Sequence, residues 1–466
     1  MSRQEVETDL THIWLHLGAS AFFRSHQAFY LNELHKKGDK SWQMHLANIR
    51  NSASQETLQQ LQKQDGNYTL EIVSPDGHTD YQPIECIKKI ILWDSKLQSV
   101  VSSGAHPATK IISFTVTESG YFLKEDGSLD LEHPAIQADL LAESEINTLY
   151  GTLYRILDQR MQNDAGPVNL LCCDNLRDNG TSFSVGLRDF IQAKNNNALL
   201  SWVEHNTSAP NSMVDRITPK FDPSIHERMA KQKLPHDEVP LTCEHYTRWV
   251  LENHFAAPHP NLSQVGVELV KDVAPYEEAK IRLLNASHSG LSWYGALTHK
   301  TYIHETLEPA ITSIFEVYAK DNVEFALKSR GIALNANVEC KTILDRFRSP
   351  YVKDTVARVS SDSISKLRGF ILPTIKDCLD RNKIPFAALK LLALYYLFLE
   401  KHYHNALDFE YKDSAISEIN LEHIFSASNP ITEFVNYSAL WGSLIDNETF
   451  THELISAIED AKQKLR

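Results

Sequence analysis

Between Pro275 and Gly290 the sequence reads PYEEAKIRLLNASHSG, and four of its side chains are a carboxylate, Glu277, an amine, Lys280, an amide, Asn285, and an imidazole, His288. The run opens with Pro and two acids, as a helix start does, and holds helix-compatible residues until Gly290, where the helix is expected to stop. At roughly 100° per residue, Glu277, Asn285 and His288 fall within about 140° of Lys280, on one side of that helix. Such a face carries the groups needed to take a proton from a hydroxyl, hold its oxygen and pass the proton on. A solvated polar stripe is the alternative reading of the same spacing.

Other stretches carry further polar groups. Gly18-Ala19-Ser20-Ala21-Phe22-Phe23-Arg24 sits where a dinucleotide-binding turn would sit, although Gly18 is its single glycine. Thr117-Glu118 and Asp174-Asn175 each follow a short apolar run, where an open α/β sheet presents residues to its ligand crevice. Asn175 is thus placed either to donate to a reacting oxygen or to cap a turn before Gly180. Asp215-Arg216, in NSMVDRITP, reads as site residues or as a structural ion pair.

These groups need elements to position them. Ile13 to Gly18 reads as a strand and tight turn, and Ser25 to Leu34 as the helix that follows. Further strands are expected at Met44 to Ile49, Thr69 to Val73 with a hairpin turn after it, Ile111 to Val116, and Val168 to Cys173. Ile146 to Met161 has helical spacing. Beyond about Pro275 the patterns at Ala310 to Leu327, Ile364 to Leu379, Ala387 to His402 and His452 to Leu465 are helical, so the second domain is expected to be all-helical. The division is expected at 1–274 and 275–466.

The whole chain, 466 residues with 42% hydrophobic and 23% charged, is long enough for two domains with large cores. Its formal charge of -14, with no Lys/Arg block to offset it, speaks against nucleic-acid or anionic-membrane partners. Ile384 to Leu399 is too short to span a bilayer and reads as a buried helix. Met1 to Leu10 lacks the apolar core of a secretory signal, so a cytoplasmic location is the expectation. The six cysteines form no C-x-x-C pair, and the 21 histidines form no metal-ligand cluster, so no metal is expected.

FFRSHQAFY, TVTESGY, CDNLRDNG, NSMVDRITP, PYEEAKIRLLNASHS and SPYVKDTVARVSSDSISK, in this order, resemble the mannitol dehydrogenase family of polyol-specific long-chain dehydrogenases. WLHLGAS and ANIRNS are most similar to its D-arabinitol-oxidising members. The resemblance implies an α/β fold: an expanded Rossmann-type N-terminal domain, then a mainly α-helical C-terminal domain, with the active site in the cleft between them. It implies NAD as cofactor, a polyol or ketose as small-molecule partner, a monomer, and oxidation of D-arabinitol to D-xylulose. A mannitol 2-dehydrogenase or a fructuronate or tagaturonate reductase is the alternative within the family.

By the same resemblance Lys280 is the general base, Asn175 and Asn285 hold the oxygen, His288 orients substrate, and Glu277 relays the proton. Asp215, Arg358 and Lys366 shape the polyol site, with Asp362 as a second possible partner of either cation. Gly18, Ser20, Phe22, Arg24, Thr117 and Glu118 lie in the cofactor cleft. Ser20 departs from the family, where many members have a second glycine, and no clear acid for an adenosine ribose stands near Asn51.

Overall fold

The computed structural model describes residues 11–50, 55–124, 126–141 and 145–465. The readings made on Asn51, Ser52 and the first ten residues lie outside them. The chain divides into two units: Met1–Val73 with Thr79–Ala274, and Ser74–His78 with Pro275–Arg466.

The described strands, all in the first unit, are β1 (His12–Leu17), β2 (Trp42–Ala47), β3 (Tyr68–Val73), β4 (Thr79–Ile84), β5 (Ile87–Ile91), β6 (Thr109–Phe114), β7 (Val168–Cys172), β8 (Thr207–Ser208), β9 (Ser212–Asp215), β10 (Leu241–Glu244), β11 (Arg248–Glu252) and β12 (Glu268–Val270). Six form a parallel sheet in the order β5-β2-β1-β6-β7-β8. Its middle strands are buried along nearly their whole length because both faces are covered. Trp14, Ile111 and Leu171 enter one core, whereas Leu15, Ile112 and Leu170 enter the other. Successive residues point to opposite faces, so one short run feeds two cores.

Two smaller sheets complete the unit. The expected hairpin forms, β3 against β4, but β10 adds to it in a separate sheet, and β9, β11 and β12 make a third. β5 escaped the sequence reading because its two lysines face solvent and break the apolar run. The first helix is two helices, Ala21–Ser25 and Gln27–Lys36, separated at His26 by a non-helical backbone.

The second unit is helical, and its described residues hold no strand beyond the single bridge Tyr302 to Thr355. The helix expected to stop at Gly290 instead continues to Leu297. A Cβ on Gly290 would lie 3.0 Å from Leu391 and 3.1 Å from Phe315, so the glycine serves close helix packing rather than termination. Leu391 belongs to the helix Phe386–Tyr403, whose middle turns are buried on every side, as expected for Ile384 to Leu399. Three helical runs are interrupted by π turns, at Lys280–Asn285, Tyr318–Glu324 and Leu367–Ile371. No helix among the described residues is long and apolar enough to cross a membrane.

Candidate active site

In the first unit β2 and β5 lie on one side of β1, and β6, β7 and β8 on the other. The winding therefore reverses between β1 and β6, and ligands of open α/β sheets bind at the carboxyl ends of such strands. Gly18 ends β1 with φ +105°, and a Cβ there would stand 2.4 Å from the Thr115 carbonyl oxygen. Only glycine lets the two strand ends approach so closely.

Ser20, the departure from the family pattern, caps the following helix: its Oγ accepts from the Phe23 N–H at 3.0 Å and pairs with Thr115 Oγ1 at 2.9 Å. Thr115 Oγ1 also lies 3.1 Å from His16 Nε2, while His16 Nδ1 and Trp14 Nε1 both reach Ser113 Oγ at 2.7 Å. Burial holds the His16 imidazole well below its usual range, so it is neutral in this chain of hydrogen bonds. The turn therefore closes against Thr115, with the Ser20 hydroxyl capping the helix where many family members have a second glycine.

Arg24 does not face this turn. Its side chain is buried, with Nη1 donating to the Val239 carbonyl at 2.8 Å and the guanidinium over the Tyr68 ring. The expectation that it lies in the cofactor cleft is corrected to a structural one, because its place on the short helix turns it into the core. Phe22 is half-buried and stacks on His26 at 4.9 Å.

Thr117 and Glu118 are exposed past the end of β6. Thr117 has φ 68° and ψ 159°, a conformation that is nearly glycine's alone. Asp174 imposes it: its carboxylate accepts from the Val116 N–H at 2.8 Å, the Thr117 N–H at 3.2 Å and the Tyr121 hydroxyl at 2.7 Å. Burial pushes the Asp174 carboxyl up, and these hydrogen bonds oppose the shift only in part. The next residue, Asn175, is exposed beyond β7. It does not cap the helix that follows, since Asp178 occupies that position, and it is Asn179 that is buried, donating to the Ser212 carbonyl at 2.8 Å. Asp215 ends β9, buried, across from Arg248. Its neighbour Arg216 spends its guanidinium on the Ser25 and Glu244 carbonyls.

In the second unit the polar set lies on a continuous helix from Ala274 to Leu297, with the π turn at Lys280–Asn285. A π turn bonds i to i+5, so the spacing of 100° per residue does not hold between Lys280 and Asn285; such turns gather at functional sites. Glu277 is buried, and Lys280, Asn285 and His288 are half-buried, which replaces the reading of a solvated stripe. The turn is anchored by Arg282, 1% exposed, which bonds Glu278 at 2.6 Å and Asp377 at 2.5 Å; Arg330 also binds Asp377. The Tyr318 hydroxyl donates to the Arg282 carbonyl at 2.8 Å, tying a second π turn to the first.

His288 stacks on Phe347 at 4.6 Å, and its Nε2 lies 3.3 Å from Asp354 Oδ2. Burial lowers the pKa of the imidazole, and the nearby Asp354 carboxylate works against this. Arg358 grips the same carboxylate through Nε and Nη2, both at 2.5 Å. Burial would raise the Asp354 carboxyl, but His288 and Arg358 outweigh it and hold it well below the usual range. Lys366 Nζ donates to the Val359 carbonyl at 2.7 Å and the Ser361 carbonyl at 2.6 Å. Asp362, the expected alternative partner of these cations, accepts instead from the Ser414 N–H and hydroxyl, both at 3.0 Å. The second unit thus gathers His288, Asp354 and Arg358 at one point. Among the described residues no group of three or more His, Cys, Asp or Glu side chains is placed to hold a metal ion.

A family model for the mannitol dehydrogenase Rossmann domain matches residues 12–264, and one for the mannitol dehydrogenase C-terminal domain matches 272–462. The chain belongs to the mannitol dehydrogenase family. It is 42% identical to a D-arabinitol 4-dehydrogenase of Klebsiella pneumoniae over 94% of its length and 95% of the relative's. A D-arabinitol 4-dehydrogenase of Ralstonia nicotianae is 38% identical over 97% of this chain and 96% of its own. Among solved structures it is similar to the mannitol 2-dehydrogenase of Pseudomonas fluorescens in ternary complex with NAD and D-mannitol, with TM-score 0.84, 27% identity, and 97% and 92% of the two chains covered.

The sequence of this mannitol dehydrogenase family member assigned Asp354 and Asn179 no part, and placed Asp174 at a strand end without a part of its own. The signal for Asp354 was present: it stands four residues before Arg358, the spacing at which an acid and a base meet on one helical turn. What Asp174 does was not legible, since its partners are the Tyr121 hydroxyl and backbone N–H groups 57 and 58 residues away.

Proposed function

We propose that this chain oxidises a sugar alcohol to a ketose with NAD, and that its substrate is D-arabinitol, converted at C4 to D-xylulose. The observation that carries the reaction type is the half-buried set of Lys280, Asn285 and His288 on one helix with a π turn at its centre. The substrate reading is supported by the two D-arabinitol 4-dehydrogenase relatives.

The turn of Gly18 and Ser20, with Phe22, Thr117 and Glu118, would hold the cofactor. Bound NAD supplies the acceptor for the hydride that leaves the carbinol carbon. Everything else falls to side chains of this protein. Lys280, as a neutral amine, takes the hydroxyl proton, because an alcohol is too weak an acid to lose it unaided at neutral pH. Asn175 and Asn285 donate to the oxygen as negative charge develops on it. Glu277 passes the proton from Lys280 toward solvent. His288, Asp215, Arg358 and Lys366 orient the remaining hydroxyls. The domain division at 1–274 and 275–466 assigns the cofactor turn to the first part and the base to the second.

The test is the initial rate of NADH formation with D-arabinitol, D-mannitol and D-sorbitol, with NADP as second cofactor and D-fructuronate with NADH in reverse. A clear preference for D-arabinitol with NAD is expected. Turnover confined to mannitol or fructuronate would preserve the Lys280 chemistry and overturn the substrate.

A further inference from the structure

We propose that Asp354 sets the substrate class: by pairing with Arg358 it leaves the site suited to an uncharged polyol and unsuited to a sugar acid. The inference rests on the reading of Arg358 as a substrate-orienting residue.

Arg358 is the cation that a uronate would be expected to use, because a guanidinium recognises a carboxylate through two parallel N–H groups on one edge. Here one of its two such edges, that of Nε and Nη2, is taken. Nε donates to Asp354 Oδ1 and Nη2 to Oδ2, both at 2.5 Å. The side chain of Asp354 is 6% exposed and that of Arg358 39%. The carboxylate therefore sits behind, and the guanidinium in front of it.

A guanidinium has five N–H donors, and Asp354 takes two of them. The remainder can still bind hydroxyl oxygens, which need a donor but no charge. A substrate carboxylate would instead meet a pair whose charges cancel, and whose Asp354 half repels it. The neighbouring cation is partly committed: Lys366 Nζ spends two of its three N–H groups on the Val359 and Ser361 carbonyls. His288, with Nε2 at 3.3 Å from Asp354 Oδ2, leans on the same carboxylate, so one buried acid orients two substrate-facing groups.

The experiment is a charge cycle on the full-length protein: wild type, Asp354→Asn, Arg358→Gln and the double variant. Calorimetry with D-arabinonate, a sugar acid of matching length, is run with and without NADH. The rates of fructuronate reduction and arabinitol oxidation are measured beside it. Asp354→Asn is expected to tighten arabinonate binding about tenfold or more, as one uncompensated charge implies, and to raise the ratio of fructuronate to arabinitol turnover by a similar factor. Arg358→Gln, which strips the cation from Asp354, should weaken arabinonate binding below wild type, and the double variant should return it near the wild-type value.

A folded Asp354→Asn protein with unchanged arabinonate affinity and unchanged rate ratio would overturn the proposal. Should that variant not fold, Arg358→Gln with wild-type arabinonate binding would overturn it equally. Loss of packing alone cannot produce a gain in anion affinity. Wild-type protein that oxidises no polyol would sink the proposed reaction, whereas the arabinonate cycle needs no turnover and is decided separately.

Discussion

Among individual residues, Lys280 carries the sharpest expectation. Lys280→Ala should lower turnover by about a hundred- to ten-thousand-fold, the range for losing a positioned general base. NADH affinity, read by fluorescence titration, should stay close to wild type; an equal loss of cofactor binding would contradict the assigned part. The sequence alone marked Lys280, Asn285 and His288, because each is a reactive type within one short motif. Its spacing could have marked Asp354 as a partner of Arg358 but not of His288, which meets the same carboxylate only in the folded chain. Arg24 shows the converse, being conspicuous in its motif yet committed to Val239 and Tyr68 inside the core.

At the level of elements, the helix Ala274 to Leu297 was legible in its beginning and its composition, but not in its π turn or its length. A π turn follows from what the turn is anchored to, here Arg282 between Glu278 and Asp377, and these contacts are tertiary. Arg282→Met is expected to cost about 3–5 kcal/mol of unfolding free energy, because it takes the guanidinium from Glu278 and leaves Asp377 to Arg330 alone. Urea unfolding monitored by circular dichroism measures this, and a loss under about 1 kcal/mol would mean that the network does not anchor the turn. Turnover should fall with it, since Lys280 and Asn285 begin and end the same turn.

For the whole molecule, buried histidines set the response to mild acid. Burial, reinforced by the charges of Lys89 and His106, takes His45 from 6.5 down to about 4, and burial lowers His16 and His288 as well. Each is neutral when folded and gains a proton more readily when unfolded. Their stabilisation is therefore complete above about pH 6.5 and is lost as the pH falls toward 4. Burial raises Asp139 and Asp174, which act in the opposite sense but only at lower pH, through the carboxylate range. The urea midpoint is expected to drop between pH 7 and pH 5, with a shallower drop in His45→Gln; a midpoint that rises on acidification would refute the assignment. Turnover is expected to survive exhaustive chelation, and a loss that only zinc restores would contradict the metal-free reading. By itself the sequence determined the parallel-sheet domain, the helical domain and the motifs that carry reactive groups, because hydrophobic period and residue type are local properties. Tertiary structure alone decided that Gly290 is a packing contact, that Asp174 forces Thr117 into a strained backbone, and that His288 shares the Asp354 carboxylate with Arg358. Each depends on atoms brought together from distant or differently turned segments, which no local pattern encodes.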